Sequence, residues 1–110
     1  MEIWKEIIGY ESLYLVSNYG RIKSLKYNKE RILKIKTDSQ GYKFVSLSKS
    51  GIVKHILVHR IVAIAFIENP LNKKEVNHKD FKRFNNDYKN LEWVTAKENT
   101  HHRLSRSLSL

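Results

Sequence analysis

Val76-Asn77-His78-Lys79-Asp80 and Asn90-Leu91-Glu92-Trp93-Val94-Thr95-Ala96-Lys97-Glu98-Asn99, separated by nine residues, read as two short strands and the start of a helix. Residues 76–78 and 91–94 are brief apolar runs, and residues 79–89 between them are polar, so the pair reads as strands joined by a long loop. The Thr95 side chain can accept from the unbonded N–H groups of a first helical turn. Glu98 stands three residues on, which completes the spacing of a capping box. The helix so begun is expected to run to about Leu104, leaving 105–110 as a Ser/Leu tail without clear fold. Strand, loop, strand and helix together make a ββα unit.

Upstream, the apolar residues at 58, 61, 62, 65 and 66 fall on one helical face, and Pro70 marks the end of that helix. Earlier still the period is that of strands. Residues 13–17 form an apolar strand closed by the turn signal Ser17-Asn18-Tyr19-Gly20. Residues 21–26 and 31–36 read as one hairpin around residues 27–30. Residues 42–48 and 52–58 read as a second around Lys49-Ser50-Gly51. Both faces of the second hairpin are partly apolar, so pattern alone leaves its register open. The class is α+β: antiparallel hairpins, then a helix, then the ββα unit. The boundaries expected are a hairpin module over 1–57, a helix plus ββα motif over 58–104 and the tail, all in one compact domain.

The chain has 110 residues and no cysteine, which excludes a disulfide scaffold, a Cys-based zinc site and a Cys nucleophile. Its longest uncharged apolar run, 61–67, is far short of the roughly 18 residues a membrane span needs. The first six residues lack a signal-peptide pattern, so a cytoplasmic protein away from membranes is the expectation. The net charge of +10 points to a polyanionic partner. That charge is uneven: residues 18–60 hold eleven bases against two acids, a net of +9, while residues 69–110 net only +4. The candidates for gripping a phosphate backbone are Arg21, Lys23, Lys26, Lys34, Lys36, Lys43, Lys54 and Arg60, with Arg103 one helical turn beyond Asn99.

His78, Asn90 and Asn99 form the pattern His-x11-Asn-x8-Asn, with Asn77 beside the histidine. An imidazole near its ordinary pKa of about 6.5 can take a proton from water. Amide oxygens suit a hard cation that keeps water and phosphate oxygens in its shell. Hydrolysis of a phosphodiester needs such a base and such a cation.

These residues resemble a known motif. Residues 76–80, Asn85-Asn86, residues 90–95 and Glu98-Asn99 are similar to the HNH endonuclease motif of the phage type. Val58-His59-Arg60-Ile61-Val62-Ala63 and Phe66 resemble the helix that precedes it. Trp4-Lys5, Ile8-Gly9-Tyr10-Glu11, Tyr14, Val16-Ser17-Asn18 and Gly20-Arg21-Ile22-Lys23-Ser24 resemble the nuclease-associated module often found ahead of it. The resemblance covers roughly residues 3–103. It implies a ββα-metal DNA endonuclease of phage or mobile-element kind. His78 would be general base, Asn77 and Asn99 would hold one Mg2+ or Mn2+, and Asn90 would tie the loop closed. The products would be a 5′-phosphate and a 3′-hydroxyl, cut from double-stranded DNA as a nick or a double-strand break, by a monomer or a homodimer. Intron-encoded relatives often carry a further base-reading region after the motif; this sequence stops at Leu110, so the expectation is relaxed sequence specificity, or specificity supplied by a partner or a lost segment.

Two departures stand out. Many relatives have Asp at the position of Asn77, and a glycine is usual where this chain has Phe81, which would be strained if the turn needs positive φ. His59 and His102 are further site candidates. The competing readings are a catalytically inactive DNA-binding module of the same fold and an RNA-binding protein.

Overall fold

The computed structural model describes residues 1–108. Nine strands and two helices follow in the order β1 (Trp4–Glu6), β2 (Tyr14–Ser17), β3 (Ile22–Ser24), β4 (Arg31–Ile32), β5 (Lys36–Thr37), β6 (Lys43–Lys49), β7 (Ile52–Leu57), α1 (Val58–Phe66), β8 (Glu75–His78), β9 (Leu91–Val94) and α2 (Ala96–Leu108). All pairings are antiparallel and give three small sheets, β1-β2-β3-β4, β5-β6-β7 and β8-β9. The mixed α+β architecture, with hairpins ahead of a helix and a ββα unit, is the one the sequence predicts.

α1 organises the molecule. Val58, Ile61, Val62 and Ala63 are buried on it, and they meet Val16 and Ile22 of the first sheet, Val45 and Leu47 of the second, and Val76 and Leu91 of the third in one apolar cluster. The two-stranded β8–β9 pair would be marginal alone, and all three sheets bury their apolar faces against this shared helix. α1 ends where Ile67 turns extended, three residues before Pro70.

The second hairpin turns through Ser50 and Gly51, both at positive φ (+52° and +79°), as a two-residue primed turn requires. Its open register is settled by burial. Val45 and Leu47 face the core, while Ile52 and Val53 stay exposed. The first hairpin is shorter than predicted. Only Lys23↔Ile32 and Ser24↔Arg31 pair, and Lys36 leaves to pair with Phe44 in the second sheet. β1 was not expected; it is held by pairing with β2, Trp4 opposite Ser17.

The capping box forms as read: the Glu98 N–H donates to Thr95 Oγ1 (3.1 Å) and the Thr95 N–H to Glu98 Oε1 (2.8 Å). α2 runs on to Leu108, four residues past the predicted end, so 105–108 is helix and not a shapeless tail. The final two residues of that predicted tail lie outside the described residues. No helix among the described residues is long and apolar enough to cross a membrane.

Candidate active site

β8, α2 and the loop between β8 and β9 surround a cleft of about 300 Å³ lined by Asn77, His78, Asn99, His102 and Arg103, among others. The loop from 79 to 90 is polar in composition but tightly held. Asn90 accepts the Asp80 N–H on Oδ1 (3.0 Å). From Nδ2 it donates to Asp80 Oδ1 (2.9 Å) and to the Asn85 carbonyl (2.8 Å). Asn90 therefore clasps the two ends of the loop by its side chain, and the Lys79 N–H to Asn90 carbonyl bond (2.8 Å) closes them by the backbone. Partial desolvation pushes the Asp80 carboxyl up, but bonds from Asn85, the Lys82 N–H and Asn90 outweigh it and leave the group below its usual range.

His78 closes β8 and is only 5% exposed. Its Nε2 lies 2.8 Å from Asn86 Oδ1. An amide oxygen only accepts, so Nε2 carries the proton and Nδ1 keeps the lone pair in the neutral ring. Burial pushes the His78 pKa down, against the opposing pull of Asn86 and Asp80. The ring is thus neutral at pH 7, the state a base needs.

Asn86 was quoted with the motif but not singled out as a site residue, and it is the side chain that anchors the histidine. It sits against Gly20: a Cβ on Gly20, which has φ +92°, would lie 2.9 Å from Asn86 Cβ. The Tyr88 N–H donates to the Asn18 carbonyl at 2.9 Å. The turn after β2 therefore buttresses the loop that holds His78. No local pattern reveals this, because the partners are some seventy residues apart.

The two candidate cation ligands are fixed in the same manner as each other. Asn77 Nδ2 donates to Glu92 Oε2 (2.8 Å), directly across the β8–β9 pair, and Asn99 Nδ2 donates to Glu75 Oε1 (2.8 Å). Each amide commits its NH2 to a carboxylate, which assigns the remaining oxygen as the donor available to an ion. Among the described residues no group of three or more His, Cys, Asp or Glu is placed to cage a metal. The donor set therefore fits a hard divalent ion that keeps several waters or phosphate oxygens, and it does not fit a closed imidazole or thiolate site.

His59 is buried on the first turn of α1. Its ring stacks on Tyr42 (5.3 Å, 18°) and lies 4.9 Å from that of His78. Desolvation, then the proximity of His78 and Arg60, lower its pKa to about 4. His102 is in the cleft, its ring stacked on Phe81 at 4.1 Å, with Nδ1 buried and unbonded. Phe81 adopts φ +65°, the left-handed backbone its position was suspected to need. Arg83 over Tyr42 (4.5 Å) and Arg106 over Phe81 (5.1 Å) line the same cleft and were not anticipated.

The basic residues divide. Arg21 pairs with Glu2 (Nε–Oε2 2.8 Å), Lys23 with Glu30 (3.2 Å), Lys26 donates to the Ser48 carbonyl (2.7 Å), Lys43 to Thr37 (2.6 Å) and Arg60 to the Lys74 carbonyl (2.9 Å). Lys34, Lys36 and Lys54 are exposed. Arg103 lines the cleft beside Asn99.

Residues 57–101 match the HNH endonuclease model, and residues 2–48 match the NUMOD4 motif. The chain thus carries an HNH endonuclease domain preceded by a NUMOD4 motif. DNA endonuclease I-HmuI of Bacillus phage SP01 is 44% identical over 103 residues, covering 94% of this chain and 58% of that protein. The uncharacterized HNH endonuclease L245 of Acanthamoeba polyphaga mimivirus is 45% identical over 91 residues, covering 83% of this chain and 27% of its own length. The solved structure of the HNH homing endonuclease I-HmuI, which concerns its DNA binding and cleavage, superposes with a TM-score of 0.87 at 43% identity, over 96% of this chain and 59% of that one. The chain thus spans less than two-thirds of the length of each of these relatives.

Proposed function

We propose that this chain is a metal-dependent DNA endonuclease that hydrolyses phosphodiester bonds in double-stranded DNA. One observation carries the reading: a neutral, tautomer-fixed His78 shares a single cleft with two oriented amides and Arg103. His78 Nδ1 takes the proton of the attacking water, while the Nε2–H to Asn86 bond steadies the ring as it becomes imidazolium. Asn77 and Asn99 offer their amide oxygens to Mg2+ or Mn2+. When bound, the ion supplies positive charge to the crowded phosphate and to the departing 3′-oxygen. Asn90 holds the loop that carries Asn86. Arg103 contacts a DNA phosphate oxygen. Residues 1–57 act as the grip and 58–104 as the cutting unit, with Lys34, Lys36 and Lys54 the exposed members of the phosphate-binding set.

Supercoiled plasmid incubated with the protein and Mg2+ is expected to be nicked, and EDTA to abolish the reaction. A general base contributes about 10²–10⁴-fold, so His78→Ala should fall by that range and still shift DNA in a gel. Equal shifting by both proteins with no cleavage under any metal would replace this reading with that of a DNA-binding module. Preference for structured RNA over duplex DNA would replace both.

A further inference from the structure

Resting on the cation reading above, we infer that Glu92 and Glu75 are positioning residues of the ion site, and that Asn77 and Glu92 form a matched pair in which the β9 carboxylate supplies the charge its β8 partner lacks. The register puts Asn77 opposite Glu92 on neighbouring strands, and the 2.8 Å bond joins their side chains. Glu75, two residues before Asn77 and so on the same face of β8, makes the same bond to Asn99. Both amides line the cleft, and neither carboxylate does. Two glutamates thus stand one bond behind two neutral ligands.

The arrangement has three chemical effects. It fixes which amide atom each asparagine offers, because a carboxylate accepts only from the NH2 end. It polarises the amide, since a charge-assisted bond at nitrogen raises the electron density at oxygen. It also places negative charge near the ion without placing a carboxylate on it. An aspartate at 77 would set two carboxylates where this 2.8 Å bond now lies, and like charges at that spacing oppose each other. The charge can therefore reside at 77 or at 92, and the side chain facing it must be a donor or neutral.

Backbone amide signals of Asn77 and Asn99 in 15N-labelled protein, titrated with Mn2+ and read as paramagnetic broadening, test the positioning role. Metal-free thermal unfolding at pH 8 in EDTA tests the pair. Glu92→Ala should need about 10–100-fold more Mn2+ for half-broadening. Glu92→Gln, whose oxygen still accepts the amide NH2 without the charge, should fall between it and the unmodified chain. Asn77→Asp alone should lower the metal-free melting temperature by several degrees, about 4–8 °C in a domain of about this size. The double variant Asn77→Asp/Glu92→Gln should regain that loss and broaden at no more Mn2+ than the unmodified chain. Unchanged broadening in Glu92→Ala overturns the positioning role, and an unchanged melting temperature in Asn77→Asp overturns the matched pair. Broadening that is absent from these two signals in the unmodified chain overturns the cation reading instead, and the metal-free cycle still decides the pair.

Discussion

The β5–β6–β7 sheet and the β8–β9–α2 unit hold their polar side chains in opposite ways. On the sheet, Lys36 and Lys54 extend from exposed strand positions, each an interchangeable point charge. In the ββα unit, His78, Asn77, Asn99 and Asn90 are each tied to a specific neighbour at 2.8–3.0 Å. The first design tolerates loss of any one residue and responds to salt. The second fails with a single atom and responds to geometry. The two regions nevertheless share one apolar cluster around α1, so the division is chemical and does not follow from separate cores.

The sharpest way to break that division is Gly20→Ala, a change in the basic, N-terminal part of the sequence whose effect should fall on the cleft. The new methyl would meet Asn86 Cβ at 2.9 Å and the Asn86 carbonyl oxygen at 3.0 Å, on a backbone at φ +92°. Overpacking together with a disfavoured φ costs about 2–4 kcal/mol, measurable as a drop in urea midpoint. Turnover should drop further than stability explains, because Asn86 holds the His78 ring. A variant that loses stability and keeps its turnover would show that Asn86 can shift without moving His78.

Acid should separate the two regions next. Between pH 6.5 and 4.5 the unfolded chain protonates His59 at its ordinary value of 6.5, while the folded chain resists until about pH 4. The unfolded state then binds more protons, so stability falls as pH falls, by up to about 1.4 kcal/mol per pH unit and about 3 kcal/mol in all. His78, lowered for the same reason, adds to the loss in the same direction. His59→Phe keeps a ring against Tyr42 and removes the proton site, so its melting temperature should fall less steeply from pH 7 to pH 5. An identical slope would locate the acid sensitivity elsewhere.

These cases show what a sequence can and cannot say. The capping box, the α1 stripe and the Ser50-Gly51 turn were legible because their causes lie within four residues. His59 lies off the 58/61/62/65/66 stripe, and it is buried because Tyr42 and His78 arrive from other elements. β1 and β5 are three and two residues long, and only their partners define them. Among the bases, composition counted Arg21 and Arg60 equally with Lys54, yet the first two are already bonded within the chain. The cleft's asparagines were found through their order, and the glutamates that orient two of them were not.

Neutralising the exposed lysines sharpens the other side of the comparison. Lys34→Gln/Lys36→Gln/Lys54→Gln should lower the salt slope of DNA affinity by about 2.7 and weaken binding roughly tenfold at moderate salt. Cleavage rate at saturating DNA should stay within about twofold, because none of the three lines the cleft. An unchanged salt slope would move the grip to other bases.

The smallest effect expected is from Phe81→Gly, and its interest lies in two opposing terms. Glycine relieves a non-glycine residue at φ +65°, worth about 1–2 kcal/mol. It also removes the ring that stacks on His102 at 4.1 Å and underlies Arg106 at 5.1 Å, worth about 0.5–1.5 kcal/mol for the stack. The net change in stability should be within about 1 kcal/mol, read as a nearly unmoved urea midpoint. The two terms act in different places, however. The relief belongs to the loop, while the loss belongs to the contact between that loop and α2, the helix that carries Asn99 and Arg103. Hydrogen exchange at residues 99–103 should therefore quicken while the global midpoint holds. A chain that gains a full kcal/mol with α2 exchange unchanged would show that the phenylalanine is only strain, with no part in docking α2 against the loop.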